Sequence, residues 1–565
     1  MKIDLVKRYM CFPIKCGAQE SKTRFVLPEF NAIISLELTS ETPDFYVYFD
    51  ALYHKGGSIE LLHEDDDDKL QAKDLFILSD VPLDASSLYI EPNRPLYHFT
   101  NVRGWINDPN GMIFRDGEYH MFYQLNSFGS RWYDKGWGHA KSKNLFDWEI
   151  LPPGLYADDS GYAISGSALF DPENRAGFGK NAWILAYSTR VGEKRELGQT
   201  IDIAYSIDGK IFHKYDGNPV ITDNSTIHLR DPKVFWHEPT QKFVMVITAG
   251  IELRFYNSPD LKAWSLTGVL DSESIDFKDM IFECPELMEY TVENGHDKRW
   301  ILQVSIMHRV LNIVGDYNGL VFTRDPAIPL QWADYGKDFY AAVGYNPFGD
   351  MDNRHVWIGW MSFWKYAHFT PKLEGWMGMF TVPRELSLQK HEDGLLYVHQ
   401  KPVREITQLY EEVLPTPSAV TVHAKSQAKL GDSVAYDLQL NLTIPSSGRC
   451  GIDLNYISGE HLRVSVDGVK HEITVDRTTC ALPELGDLFL ETLSMPLPET
   501  ASVDLHLLTD KGGIELYALD GQMCMAVLCY PKQHTHTTVL WNESDEEVYA
   551  NDIVKHALRR AKWKF

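Results

Sequence analysis

The sequence predicts an all-β protein: a five-bladed β-propeller followed by a C-terminal β-sandwich, with a small N-terminal β-rich domain. Three observations predict it. Short runs of alternating apolar and polar residues, bounded by Gly, Asp and Asn turns, fill most of the chain. Through its middle a loose unit recurs at close to the ~50-residue period of four-stranded propeller blades. Of the 15 Trp, all but Trp541 and Trp563 lie between Trp105 and Trp376, which sets that stretch apart.

Residues 1–94 carry the runs TRFVL, AIISLEL, FYVYFDALYH and SIELLH, the pattern of a small antiparallel sheet unit. The break at Glu91-Pro92-Asn93-Arg94-Pro95 sets its boundary, and this accessory domain is expected to pack near the propeller and narrow its mouth. The acidic run Glu64 to Asp68 reads as a solvated loop, because it lacks the spacing that wraps ligands around calcium.

Residues 95–388 form the predicted propeller. Its blades start at NDPNGMIF (107), SGSALF (165), RDPKVF (230), ECPELMEY (283) and DYGKDFYA (334). In a propeller each innermost strand runs beside the central channel, so side chains at the strand starts converge on one mouth. Three starts carry a carboxylate in what reads as the same place: Asp108, Asp231 and Glu283. Residues 389–565 return to simple alternation, as in AYDLQLNLTI and GIELYALDG, and predict the sandwich. The end, ESDEEVYANDIVKHALRRAKWKF, runs from acids to bases and is expected to form a short terminal helix.

Composition narrows the function. With 54 basic against 79 acidic residues the net charge is −25, which opposes binding to nucleic acid or an anionic membrane. No run approaches the ~18 apolar residues of a membrane span. The first segment, MKIDLVKRYM, lacks the apolar stretch of a secretory signal, and seven scattered Cys suit unpaired thiols. A cytoplasmic location is expected. His534 and His536 lack a third ligand, and no phosphate-cradling glycine loop is present, so neither a metal nor a cofactor is expected. Oligomeric state is left open.

Alone, NDPNG is a turn. What points to chemistry is the conjunction of three carboxylates with Trp-rich surroundings. Two carboxylates flanking a glycosidic bond are the general apparatus of sugar hydrolysis, one protonating the leaving oxygen and the other attacking or activating water. A third can hold substrate hydroxyls.

These motifs resemble those of glycoside hydrolase family 32, the invertases, inulinases and levanases. The resemblance runs through HFT (98–100), WINDPNG (105–111), FYQ (122–124), WGHAKS (137–142), SGSA (165–168), RDPKVF (230–235), ECPEL (283–287), GWM (359–361) and PREL (383–386). It implies that Asp108 is the nucleophile, Glu283 the acid/base and Asp231 the transition-state stabiliser. It further implies that Asn107, Gln124, Trp132, Ser165, Arg230 and Trp364 line a fructosyl pocket. Leu125, Asn126 and Ser127 depart from the family's usual loop, and Ile164 stands where an aromatic residue is common, so the pocket rim is expected to differ.

The expected activity is retaining hydrolysis of terminal β-D-fructofuranosyl units from sucrose, fructo-oligosaccharides or fructan fragments. The alternatives on the same scaffold are a fructosyltransferase and an endo- or fructobiose-releasing fructanase. A non-catalytic fructan-binding protein is the alternative of another class.

Overall fold

The computed structural model describes residues 1–64, 70–190, 198–223, 225–345, 354–369, 374–480 and 485–565. Asp65 to Asp68 of the acidic run lie outside the described residues. Among the described residues nearly all regular structure is strand, and the helical elements are 3-10 turns of three to six residues.

Five antiparallel sheets follow one another from Gly104 to Pro402, each built on four strands taken in chain order. Their innermost strands are Gly104–Arg115, Tyr162–Asp171, Leu229–His237, Glu283–Thr291 and Tyr340–Gly344. Each innermost strand contacts the next, and the fifth contacts the first, so the ring closes. These strands are buried almost throughout, including polar and charged residues near their starts.

The fifth blade corrects a sequence expectation. Its inner strand begins at Tyr340, six residues beyond the DYGKDFYA start, and Asp334 is instead buried in an ion pair with Arg384. The Asp334-Tyr335-Gly336 segment that suggested a strand start lies before the inner strand.

Residues 2–79 form two small sheets, one of four strands and one of three, which enclose Phe12, Phe25, Phe49 and Val47. Phe128, from the first blade, inserts into the same core. The C-terminal unit pairs a seven-stranded with a six-stranded sheet around Leu438, Ile452, Val464 and Leu516.

The terminal helix is not formed. Val548–Leu558 is a strand that pairs with Tyr436–Thr443 in the seven-stranded sheet, and Trp563–Lys564 pairs with Trp148–Leu155 of the first blade. A bulge between Gln439 and Asn441 interrupts the pairing, so the buried positions Val548, Ala550, Ile553 and Lys555 do not keep a period of two. That irregular spacing resembles a helical one, and the acid-to-base order of charges is too weak to outweigh a sheet position with two paired neighbours.

Buried ion pairs join propeller to sandwich. His98 lies 2.9 Å from Asp510 and 3.1 Å from Glu515. Arg384 reaches Glu515 at 2.8 Å and Asp334 at 2.9 Å, and Arg477 reaches Asp338 at 2.7 Å. Burial pushes the His98 pKa down, but hydrogen bonds to the two carboxylates outweigh it and raise the group to about 9. A histidine raised in the folded state contributes stability that is complete below its unfolded value near 6.5 and lost as pH climbs through about 9. Thermal melts should therefore show Tm falling between pH 6.5 and 9. His98→Asn should lose about 3 kcal/mol at pH 6 and flatten that slope, since the raised pKa is the source of the effect. An unchanged slope in the variant would place the pH dependence elsewhere.

Candidate active site

In a regular strand neighbouring side chains point to opposite faces, so only every second residue could reach the channel. The inner strands break that rule where they enter the ring. Each has a bulge at its start: between Ile106 and Pro109, Ile164 and Gly166, Arg230 and Lys233, Glu283 and Glu286, and Tyr340 and Val343. The extra residue re-aims the chain. As a result adjacent pairs share one cavity wall: Asn107 with Asp108, Ile164 with Ser165, Arg230 with Asp231, and Glu283 with Cys284.

The last three bulges place a non-glycine residue in the left-handed region, with φ of 59° at Asp231, 46° at Cys284 and 50° at Ala341. Such a conformation is uncommon away from glycine and needs support. Each bulge amide has a fixed acceptor. Asp231 N–H donates to Ser188 Oγ at 2.8 Å, Cys284 N–H to Asp231 Oδ2 at 3.0 Å and Ala341 N–H to Ser305 Oγ at 3.2 Å. A polar side chain of one blade thus anchors the bulge of the next, and between the third and fourth blades it is the Asp231 carboxylate.

The register corrects the expectation that the three carboxylates are equivalent. Arg230 and Glu283 occupy matching positions before their bulges, and Asp231 matches Cys284. Glu283 therefore stands one residue earlier in its blade than Asp231 does. The sequence holds the signal in the proline that follows in NDP, RDP and ECP, which aligns Asp231 with Cys284 and sets Glu283 one residue earlier, but counting carboxylates at blade starts overlooks it.

Every residue that the sequence proposed for the site lines a single cavity of about 1060 Å³. Asp108 is buried among neutral donors. Its Oδ1 accepts from Asn107 Nδ2 at 2.9 Å, and its Oδ2 accepts from Gln124 Nε2 at 2.9 Å and from the Ser165 hydroxyl. Trp105 Nε1 donates to Asn107 Oδ1 at 2.9 Å and fixes the amide that faces the carboxylate. Glu283 is held differently: Arg230 donates to Oε1 at 3.0 Å and the Tyr340 hydroxyl donates to Oε2. The Glu283 side chain keeps 33% of its exposure and that of Asp231 keeps 7%, so Glu283 faces the open side of the cavity.

Burial raises the pKa of Asp108, against the pull of Lys135 and the Ser165 and Asn107 hydrogen bonds. It raises Asp231 to about 6, with Arg230 opposing and Glu283 adding to the rise. Cys284 Sγ lies 3.7 Å from Asp231 Oδ2 and 4.0 Å from Asp108 Oδ2, between the two carboxylates. Burial pushes its thiol well up, so it packs the floor rather than serving as a nucleophile. Among the described residues no group of His, Cys, Asp and Glu has the arrangement to hold a metal.

Trp132 stands on the cavity wall with Lys135 Nζ 3.7 Å from its ring centroid and the Arg190 guanidinium carbon at 5.1 Å. Its face is thus occupied by cations, while its buried Nε1 has no hydrogen-bond partner. Trp364 meets Trp132 edge-on at 6.3 Å.

Sequence reasoning missed Lys135 and Tyr340. Lys135 is 1% exposed and its Nζ donates to Gln124 Oε1, which turns the other end of that amide towards Asp108. Its signal was a lysine directly before the strand that carries WGH. Tyr340 sits at the position of the fifth blade that matches Arg230 and Glu283, and a correct blade start would have shown it.

Comparison with known proteins identifies the family. The glycosyl hydrolases family 32 N-terminal domain matches residues 98–402 and the family 32 C-terminal domain matches residues 405–556. A levanase of Bacillus subtilis is 34% identical over 496 residues, which cover 84% of this chain and 72% of that protein. An extracellular exo-inulinase of Aspergillus niger is 30% identical over 491 residues, which cover 78% of this chain and 90% of that protein. The crystal structure of exo-inulinase from Aspergillus awamori has a TM-score of 0.74 at 26% identity, covering 84% of this chain and 99% of that one. A β-fructofuranosidase from Schwanniomyces occidentalis complexed with fructosyl-erythritol has a TM-score of 0.73 at 25% identity, covering 84% and 99%. With most of its length matched from His98 onward, the chain belongs to glycosyl hydrolase family 32 and is a glycoside hydrolase.

Proposed function

We propose that the protein is a retaining β-fructosidase that removes terminal fructosyl units from sucrose or short fructo-oligosaccharides. The observation that carries this reading is the convergence of three carboxylates on one cavity, with Glu283 at its open side and Asp108 at its closed end. A nucleophile belongs where water is excluded, and an acid/base belongs where the leaving group departs and water enters.

In this mechanism Asp108 attacks the anomeric carbon while Glu283 gives its proton to the glycosidic oxygen. The bond to the leaving sugar breaks and a fructosyl ester forms on Asp108. Glu283 then takes a proton from water, which attacks the same carbon and frees Asp108. The neutral donors on Asp108 hold both oxygens in place for attack and need no large reorganisation as its charge is spent. Asp231, fixed by Cys284 N–H, is positioned to grip ring hydroxyls, and the unpartnered Trp132 Nε1 supplies a further donor.

Gln124, Ser165 and Lys135, all buried, line the cavity beside Asp108, and a closed subsite for a terminal unit is the reading they support. A time course on sucrose, on a β-2,1-linked oligosaccharide and on levan tests the reading. Free fructose from the first points supports it. Early difructose or mid-length oligomers would show internal cleavage, larger fructosides would show transfer, and no products would leave only binding.

A further inference from the structure

Residues 1–97 precede the family match, yet the structure ties them to the wall of the catalytic cavity. The connection is the loop of residues 127–135, which carries Trp132 and Lys135 into the cavity. Phe128 of that loop is 5% exposed and packs edge-on against Phe25 at 5.9 Å, inside the N-terminal core. Nearby, Tyr156 stacks on Phe30 at 4.7 Å, and Arg24 makes bonds of 2.6 and 2.8 Å to the two oxygens of Asp159. Apolar plug, aromatic stack and bidentate ion pair together hold the two units in one arrangement.

Between them lies a second cavity of about 300 Å³. One side is lined by Glu20, Ser35 and Glu37 of the N-terminal unit and the other by Arg131, Tyr133 and Tyr162 of the propeller. Arg131 and Tyr133 line the catalytic cavity as well, so the two spaces share a wall. The Arg131 guanidinium is held at 3.0 Å by Glu20 and at 3.2 Å by Glu37. Tyr133 is 42% exposed and meets Trp132 edge-on at 6.5 Å, which leaves ring surface open to a ligand.

We propose that this groove is a distal sugar-binding site, taking fructosyl units beyond the scissile bond when the substrate is a neutral oligofructan longer than a disaccharide. The inference rests on the reading of the catalytic cavity as a fructoside hydrolase site. A flat aromatic surface suits the C–H face of a sugar ring, and planar carboxylate and guanidinium groups suit neighbouring hydroxyls. The carboxylates of Glu20, Glu37 and Asp134 outnumber the cations Arg131 and Lys22, which makes the groove hostile to an anionic ligand. Because Phe128 and Arg24 fix its two walls, the site is formed before substrate arrives, and little binding energy is lost in ordering it.

The test compares kcat/KM on a fructo-oligosaccharide of about six units with kcat/KM on sucrose, in the full chain and in two variants. Tyr133→Ala removes the aromatic surface, and Glu20→Trp fills the groove from a half-buried position. The ratio of long to short substrate should fall about tenfold in each variant, the size of a lost ring contact. Binding of the same oligosaccharide to the Asp108→Ala protein should weaken about tenfold when Tyr133→Ala is added. Equal ratios in the parent and both variants would overturn the distal site. Absence of hydrolysis of any fructoside by the parent protein would instead overturn the functional reading beneath it.

Discussion

Asp108→Ala should lower kcat by about four to six orders of magnitude while the far-ultraviolet spectrum and melting temperature stay close to those of the parent. The size follows from its place. Asp108 accepts from Asn107, Gln124 and Ser165 at once, so its removal takes away the reacting oxygen and leaves three donors aimed at an empty position. Glu283→Ala should cost a similar factor on sucrose and much less on an aryl fructoside whose leaving group needs no proton. That difference separates an acid from a nucleophile. Near-normal turnover in Asp108→Ala would show that another group attacks, and an equal loss on both substrates in Glu283→Ala would remove its assignment as the acid.

The second large effect is expected at Lys135. Its ammonium group lies on the Trp132 ring and bonds Gln124, and the charges that act on it are those of Asp108, Asp231, Cys284 and Arg190. Burial lowers the Lys135 pKa, Asp108 raises it, and Lys135 in turn lowers Asp108. Asp108 attacks as a carboxylate, so activity on the acid side is lost as its proton returns. Without the ammonium the Asp108 pKa climbs further, and the acid limb of the kcat/KM profile in Lys135→Met should move up by about one to three pH units. Methionine keeps the length and apolar stem of the side chain, so packing on Trp132 is largely preserved. A profile that changes in height without moving along the pH axis would reduce Lys135 to a packing role.

How much of this was legible in the sequence depends on the kind of order involved. The blades and the sandwich were visible because alternation and turn residues report local geometry directly. The three carboxylates were visible because WINDPNG, RDP and ECP preserve them in order along the chain. The shift of Glu283 against Asp231 was present in the proline shared by RDP and ECP, which pairs Asp231 with Cys284, and was missed because the carboxylates were compared without that frame. Lys135 and Tyr340 were missed because their importance lies in whom they meet, Gln124 across a loop of the same blade in one case and Glu283 on the neighbouring blade in the other. Val548–Leu558 misled for a different reason: its place in the sheet is set by pairing with residues more than a hundred positions away.

The most direct test of Asp108 as a nucleophile is proton NMR of the first minutes of sucrose hydrolysis, before the released sugar mutarotates. Attack by Asp108 followed by attack of water inverts the anomeric carbon twice, so fructose should first appear as the β-furanose. Fructose appearing first as the α-furanose would mean a single direct displacement by water and would contradict the covalent mechanism.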